Sequence, residues 1–312
     1  MKLSRVNSLF LVFLVLLAGC SAPLTREELR EMNRYESLDI GTDEAYESVD
    51  GQQLHYLKQG HGRPVVLLHG FPTSSYTWRH VIPRLSNDYE VYAPDLPGYG
   101  KSDLGPQADR GISAQSFYID EWMDSLGLSG TILVGQGIGG GVALQIAIRH
   151  PDKVAGLILI NPACYDSYPS NYAKLLAEPG WGPFVGSGAA RRGGFHHNLS
   201  QGVYHQKLLS DGVVDSYYAP WNSEAGRRNL IRAATDLKAK DMMEIMPRVR
   251  SLKVPTLVVA GLFDPFQSIN YSKRLAAEIP GAQFIQIPNC GHFASEDEPE
   301  KIVRYVKTFF LG

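Results

Sequence analysis

The chain alternates between short, uniformly apolar segments and longer segments whose apolar residues recur every three or four positions. The apolar runs predict strands that are buried on both faces. They cover residues 64–69, 89–93, 131–134, 154–160, 256–260 and 283–287. Helical spacing is found at residues 75–85, 113–126, 142–149 and 298–310. Strands that alternate with helices predict an α/β fold, with a mostly parallel central sheet and helices on both faces.

A hairpin is predicted before this sheet. Residues 45–49 and 54–58 show the alternation of a strand with one exposed face, and Asp50-Gly51 between them is a typical turn pair. We therefore expect a leading antiparallel pair that continues into the main sheet.

The N-terminus carries the pattern of a targeting segment. Lys2 and Arg5 precede an apolar run over residues 9–18, which is too short to span a bilayer core of about 30 Å. The run ends in Leu-Ala-Gly-Cys at Cys20, which resembles the lipobox of bacterial lipoproteins. The resemblance implies cleavage before Cys20 and acylation of that cysteine. An ordinary secretory signal with a chance cysteine is the alternative.

These features predict a lipoprotein signal peptide over residues 1–19 and a charged, polar tether over residues 20–42. The protein would then be lipid-anchored in the bacterial cell envelope and face the periplasm. Ser21 does not resemble an inner-membrane retention signal, which favours the outer membrane.

Composition narrows the function classes. The 312 residues are 44% hydrophobic and carry a formal net charge of −2, so we expect one α/β domain with an insertion and no nucleic-acid partner. Beyond Cys20 only Cys164 and Cys290 remain, and spacing does not settle whether they pair.

The glycine-rich stretch 135–141 is the candidate centre of chemistry. A buried strand that enters a helix through Gly-x-nucleophile-x-Gly forms a nucleophile elbow, and here the nucleophile position falls on Gly137, which has no side chain. The same glycines also fit the dinucleotide-binding pattern Gly-x-Gly-x-x-Gly through Gly135, Gly137 and Gly140. That alternative requires an acidic residue after the next strand, where the sequence has Asn161.

Three segments together resemble the α/β-hydrolase superfamily, and most of all its epoxide hydrolase and haloalkane dehalogenase branch. They are the elbow, His69-Gly70-Phe71-Pro72, and the run from Pro94 to Ser102. The likeness runs from about Val49 to the C-terminus and is weakest at residues 164–234. It implies an α/β-hydrolase fold with core segments 43–163 and 235–312 and a helical cap at 164–234.

The resemblance also assigns site residues. Asp264 and His292 match the family's acid and base, in the hydrolase chain order. The backbone N–H groups of Phe71 and Ile138 match the oxyanion hole. Dehalogenases commonly place halide-binding Asn and Trp at these two positions, so we do not expect haloalkane chemistry. No cofactor or metal is implied.

Other polar residues of the cap carry weaker expectations. A cap tyrosine could protonate an opening epoxide, although packing roles are more common. The tyrosines considered are Tyr165, Tyr168, Tyr172, Tyr204, Tyr217 and Tyr218. His196 and His197 are adjacent in a predicted glycine-rich loop, next to the Gly/Arg-rich residues 186–194. No further ligand lies at metal-binding spacing, so we expect both side chains to be solvated rather than metal-binding.

The sequence therefore predicts a hydrolase of small apolar esters or epoxides whose nucleophile position, Gly137, is vacant. Three hypotheses remain open: His292 and Asp264 work without a covalent step, the protein is a catalytically dead binding module for a small molecule, or position 137 has been substituted in an active parent. The expected partners are a small-molecule substrate or ligand and a membrane that holds the lipid on Cys20.

Overall fold

A computed structural model describes residues 42–105, 107–178 and 189–309. The predicted signal peptide, Cys20 and nearly all of the tether lie outside the described residues. Within the described ranges, no helix is both long enough and apolar enough to cross a membrane.

Eight strands form one sheet in the order β1-β2-β4-β3-β5-β6-β7-β8. They are β1 Asp43–Val49, β2 Gln52–Gly60, β3 Arg63–Leu68, β4 Tyr89–Pro94, β5 Thr131–Gln136, β6 Val154–Ile160, β7 Thr256–Gly261 and β8 Gln283–Ile287. β1 and β2 form the predicted hairpin, β2 pairs antiparallel with β4, and every other pairing is parallel. The mostly parallel α/β sheet is confirmed.

Helices cover both faces of this sheet. The α-helices are α1 Ile82–Leu85, α2 Ile112–Ser125, α3 Ile138–Arg149, α4 Asn171–Ala177, α5 Arg192–Gln201, α6 Asp211–Tyr218, α7 Glu224–Asp236, α8 Lys240–Met243, α9 Ile269–Glu278, α10 Ala294–Asp297 and α11 Pro299–Phe309. Short 3₁₀ turns lie at Ser75–Trp78, Gln206–Leu208, Ala219–Trp221 and Met246–Ser251. Helices α4 to α7 occupy the connection between β6 and β7, where the cap was predicted.

Two of the predicted helices differ from the structure. The segment 75–85 is not one helix but a 3₁₀ turn followed by the four-residue α1, because Pro83 has no N–H to continue the preceding turn. Helix α3 begins at Ile138, four residues earlier than predicted. Glycine disfavours helices, but close packing in the elbow requires it in this first turn.

Alternate residues of each central strand face opposite layers of the core. On β3, Val65 and Leu67 pack in the layer that contains Trp78 and the α11 residue Val306. Val66 and Leu68 face the other layer, which contains residues of α2, α3 and α9 as well as the cap. This alternation places β3, β5, β6 and β7 between two hydrophobic layers, so their C-terminal ends are fixed relative to one another.

Candidate active site

The elbow between β5 and α3 has the backbone of a nucleophile turn. Gly137 lies at φ +57° and ψ −123°, a conformation that side chains of L-residues rarely adopt, and its N–H donates to the carbonyl of Ile160 at 3.0 Å. A Cβ atom on Gly139 would overlap the carbonyl oxygen of Leu68, and one on Gly140 would lie 2.7 Å from Cβ of Pro162. These glycines therefore allow α3 to pack closely against the sheet, and a phosphate-binding role is not needed to explain them.

His292 and Asp264 form a buried dyad above this turn. Nδ1 of His292 lies 2.7 Å from Oδ2 of Asp264, and both side chains are almost completely buried. The other carboxylate oxygen accepts the N–H groups of Phe266 and Gln267 at 2.8 and 3.1 Å. Because an ionised carboxylate only accepts hydrogen bonds, Nδ1 carries the proton, and Nε2 of the neutral ring keeps its lone pair.

Nε2 of His292 faces the elbow. A Cβ atom added to Gly137 would lie 3.1 Å from this nitrogen and 3.5 Å from Cα of Gly70. Among the described residues, none forms a hydrogen bond with Nε2. Nε2 is therefore directed at the position that a side chain at residue 137 would occupy.

The two backbone N–H groups predicted to bind an oxyanion lie beside the elbow. Within the described part of the chain, the amides of Phe71 and Ile138 donate no hydrogen bond. Ile138 is the first residue of the twelve-residue α3, where helix dipoles favour negative charge. A Cβ on Gly70 would be 3.2 Å from the carbonyl oxygen of Gln136, so the Phe71 loop lies against the elbow. Both predicted oxyanion residues thus flank Gly137.

A buried carboxylate holds the loop that carries Phe71. Asp95 accepts the N–H groups of Ser75 and Lys101 at 2.7 and 2.8 Å and is 2.8 Å from Nδ1 of His55. Nε2 of His69 accepts the N–H of Leu96 at 2.9 Å. Burial lowers the pKa of His69, so its ring is neutral and acts as a structural acceptor rather than a second base.

Asn161 fixes the loops of both dyad residues. Its Nδ2 donates to the carbonyls of Gly291 and His292 at 3.0 and 2.9 Å, and its Oδ1 accepts the N–H of Gly261 at 2.9 Å. Its φ of +42° is unusual for a residue other than glycine. In the sequence, Asn161 only counts against a dinucleotide site, because it is not acidic. A polar residue directly after a buried strand was the signal that could have identified it.

Aromatic side chains pack over Phe71 on the cap side of the site. Tyr99 makes edge-to-face contacts with Phe71 and with Trp221 of the cap, and Tyr172 lies 6.2 Å from Phe71 between ring centroids. The indole N–H of Trp221 donates to the carbonyl of Pro72 at 3.2 Å. This bond occupies the indole donor, so Trp221 does not offer the free N–H that halide binding would need.

The six cap tyrosines have different surroundings. The hydroxyls of Tyr172 and Tyr218 donate to backbone carbonyls, that of Tyr217 donates to Glu296, and Tyr204 is half exposed against Phe263. The hydroxyl of Tyr165 is buried, and its pKa is raised by burial and by the neighbouring carboxylate of Glu278. Burial raises the pKa of Tyr168, a hydrogen bond with Ser170 lowers it, and the charge of Asp264 raises it. The hydroxyl of Tyr168 therefore lies within electrostatic reach of Asp264.

Two remaining predictions can be compared with the structure. Cys164 and Cys290 are free and buried, so no disulfide joins them, and burial raises the pKa of the Cys164 thiol to about 12. The prediction that His196 and His197 lie in a loop is wrong, because both are part of α5. No group of three or more metal-ligating side chains occurs within the described ranges.

The chain matches a family model described as alpha/beta hydrolase fold over residues 63–299. It is 31% identical over 258 residues to haloalkane dehalogenase 2 of Mycobacterium tuberculosis, covering 80% of this chain and 88% of that protein. It is 27% identical over 281 residues to cis-3-alkyl-4-alkyloxetan-2-one decarboxylase of Shewanella oneidensis, covering 84% and 86%. The solved structure of the epoxide hydrolase CorEH has the same fold, with a TM-score of 0.76 at 23% identity over 86% of this chain and 99% of that chain.

Proposed function

Since the chain belongs to the alpha/beta hydrolase fold family, we propose that it is a hydrolase of small apolar esters in which His292 activates water directly. Covalent catalysis needs a nucleophilic side chain at the elbow, and Gly137 has none. The nucleophile position is therefore vacant in this proposal, and water takes the part of the missing side chain. Epoxides, the other predicted substrate class, receive less support, because the two oxyanion donors suit a carbonyl oxygen.

One observation carries the proposal: Nε2 of His292 is directed at the elbow, and a Cβ at residue 137 would lie 3.1 Å from it. Asp264 holds the tautomer in which Nε2 accepts a proton, at an Nδ1 to Oδ2 distance of 2.7 Å. The amide of Ile138 follows residue 137 directly, and the amide of Phe71 follows Gly70, whose Cα lies 3.5 Å from the same point. A base, its orienting acid and two oxyanion donors thus converge on a place that residue 137 leaves open.

The reaction follows from this arrangement. A water molecule attacks the ester carbonyl carbon while Nε2 of His292 takes its proton. The carbonyl oxygen becomes an oxyanion, which the N–H groups of Phe71 and Ile138 stabilise, and Asp264 stabilises the imidazolium. Collapse of the tetrahedral intermediate breaks the bond to the alkoxide, which takes the proton back from His292. The products are one acid and one alcohol, and no bond to the protein is formed.

The proposal is tested by assaying the purified protein on a panel of short-chain aryl and alkyl esters. We expect hydrolysis that His292→Gln lowers by about 10²–10⁴-fold, the range of general-base catalysis. Single turnover in ¹⁸O-water should place the label in the acid product, and mass spectrometry should find no acyl-protein.

Gly137→Ala is the matched variant for the elbow. Its methyl group approaches Nε2 and takes the place of the attacking water without adding a nucleophile, so hydrolysis should fall in this variant too. An acyl-protein, or activity that is indifferent to His292→Gln, would contradict the proposal.

A binding module is the second candidate, and the absence of a side chain on Gly137 favours it. In that case the parent protein turns over no ester, while small apolar esters or their acids still raise its melting temperature. Ligand stabilisation that persists in His292→Gln, without turnover in either protein, would support the binding function over hydrolysis.

We propose further that Cys20 is acylated and anchors the protein in the bacterial cell envelope, facing the periplasm. A charged start, an apolar run and a lipobox-like sequence support this together. Each buried CH₂ contributes about 0.8 kcal/mol to membrane binding. Cys20→Ala should move the protein out of the membrane fraction, while Cys164→Ala should not. An unchanged membrane fraction for Cys20→Ala would refute the lipid anchor.

A further inference from the structure

Two neighbouring carboxylates follow His292, and both reach the cap. Glu296 and Asp297 belong to α10, which begins two residues after His292. Their side chains are buried, and neither takes part in the chemistry proposed above. Their bonds connect the loop of the base to three other parts of the chain.

Asp297 bridges the base loop and the cap. Its Oδ2 accepts the N–H of Gly291, the residue before His292, at 2.8 Å and the N–H of Tyr204 at 3.0 Å. Its Oδ1 accepts the N–H of His205 at 2.8 Å. Hydrogen bonds to an ionised carboxylate are stronger than neutral ones, so one side chain joins both backbones firmly.

The two backbones also touch each other without the carboxylate. The N–H of Phe293 donates to the carbonyl of Gly202 at 3.0 Å. A Cβ atom on Gly202 would lie 2.5 Å from the ring of Phe293, and one on Gly291 would overlap the carbonyl oxygen of Gly202. The cap segment 202–205 therefore lies directly against residues 291–293.

Glu296 adds a second connection. It forms a two-point salt bridge with Arg79 at 2.6 and 2.7 Å and accepts the hydroxyl of Tyr217 from α6. Arg79 follows the 3₁₀ turn after the Phe71 loop. The short helix behind His292 is thus tied to two parts of the cap and to the segment after the oxyanion loop.

We infer that Asp297 is a positioning residue. Through its hydrogen bonds, the packing of cap segment 202–205 is coupled to the placement of His292, so that the two form or loosen together. When the segment is docked, Gly291 is held through Asp297, and the ring of His292 stays on Asp264. When the bridge is removed, the cap segment and the base loop loosen together. The inference concerns the site proposed above, but it does not require that the site hydrolyses esters.

The test measures structure rather than turnover, on the full-length protein. Hydrogen exchange is followed in peptides that contain residues 202–205 and 291–293. The Nδ1-bound proton of His292 is followed by NMR in protein labelled with ¹⁵N-histidine and assigned with His292→Gln. Asp297→Ala should speed exchange in both segments by about tenfold or more, which corresponds to about 1.4 kcal/mol. The Nδ1 proton signal should broaden or disappear.

Asp297→Asn keeps one carboxamide oxygen, so it should have a smaller effect in the same direction. If Asp297→Ala does not fold, Asp297→Asn is used in its place. The matched control is Asp241→Ala. Asp241 is a partly buried carboxylate that accepts the N–H of Ser113 at 3.2 Å, next to α2 and away from His292. It should leave both segments and the His292 signal unchanged.

The inference is overturned if segment 202–205 loosens while residues 291–293 and the Nδ1 signal keep their parental behaviour. It is also overturned if neither segment responds to either Asp297 variant. If the parent protein has no esterase activity and both segments loosen together in Asp297→Ala, the proposed function is refuted and the inference is supported.

Discussion

Residue 137 and His292 face each other so closely that a Cβ atom at residue 137 would lie 3.1 Å from Nε2 of His292. The Cα atom of Gly70 lies 3.5 Å from the same point. A small side chain at residue 137 can therefore be accommodated, and its nearest neighbour is Nε2 of His292. This relationship makes position 137 the most informative place to change the protein.

Gly137→Ser and Gly137→Asp should each destabilise the fold and create covalent chemistry. The cost of a side chain at φ +57° is on the order of 1–3 kcal/mol, and about 2–4 °C of melting temperature is expected for each kcal/mol. The Ser variant should gain burst-phase hydrolysis of esters, and the Asp variant should gain activity on epoxides. Gly137→Ala should show the same loss of melting temperature without any new activity. Unchanged activity in both nucleophile variants would mean that the dyad is not competent.

Asp264→Asn should impair whichever hydrolysis the site performs. The carboxamide can still accept the N–H of Phe266 through one oxygen, so we expect the fold to remain intact. It no longer stabilises the imidazolium and does not hold the required tautomer, so kcat should fall by about 10²–10⁴-fold. Steady-state kinetics of Gly137→Ser with and without Asp264→Asn measures the effect. A loss of activity that follows a loss of melting temperature would point to a structural role instead.

The Arg79–Glu296 pair should stabilise the protein only above acidic pH. Burial tends to raise the pKa of Glu296, but the guanidinium of Arg79 and its hydrogen bonds outweigh burial and hold the pKa below the ordinary value of 4.5. A carboxyl with a lowered pKa contributes stability above its ordinary pKa and loses it as the pH falls through the lowered value. Glu296→Gln leaves Arg79 buried without a counter-charge, at a cost of about 3–5 kcal/mol near neutral pH.

Melting temperatures of the parent and of Glu296→Gln, measured from pH 3 to pH 8, check this. Their difference should be constant near neutral pH and should narrow below about pH 4.5. A difference that stays constant from pH 8 down to pH 3 would contradict this, because it would show that folding does not shift the pKa of Glu296.

Thiol titration should show which cysteines are buried, which are free and which is acylated. Burial raises the pKa of both Cys164 and Cys290, so neither thiol should react with a disulfide reagent in the native protein. In denaturant without reductant, the acylated protein should release two equivalents. Three equivalents would show that Cys20 is present and unmodified, and none would show a disulfide that the structure does not contain.

Local sequence patterns predicted the strands well, because a strand pattern depends on neighbouring residues, and uniform apolar runs located β5 and β6. Asp264 and His292 were assigned by the family resemblance, and the structure places Nδ1 of His292 2.7 Å from Oδ2 of Asp264. The first turn of α3 was missed because four glycine-rich positions look like a turn until their contacts with Leu68 and Pro162 are known.

The residues that hold the loops of the site in place were also not predicted from the sequence, for a related reason. Asn161 binds carbonyls of Gly291 and His292, and Asp297 binds amides of the cap, across about a hundred residues of sequence or more. Their partners are backbone groups, which every residue carries. A side-chain pattern can therefore mark Asn161 as a polar residue after a strand, but it does not identify the partners of these bonds, which only the assembled sheet and cap bring together.

The packing of the elbow glycines limits where variation is possible in this turn. Side chains at positions 135, 139 and 140 would overlap backbone or Pro162, whereas a Cβ at 137 would lie 3.1 Å from Nε2 of His292 and 3.5 Å from Cα of Gly70. The glycine codons GGT and GGC become codons for serine or aspartate by a single base change. The glycines that shape this turn therefore do not tolerate substitution, whereas position 137 does. A single mutation at position 137 can thus add, remove or exchange a nucleophile while the surrounding structure stays the same.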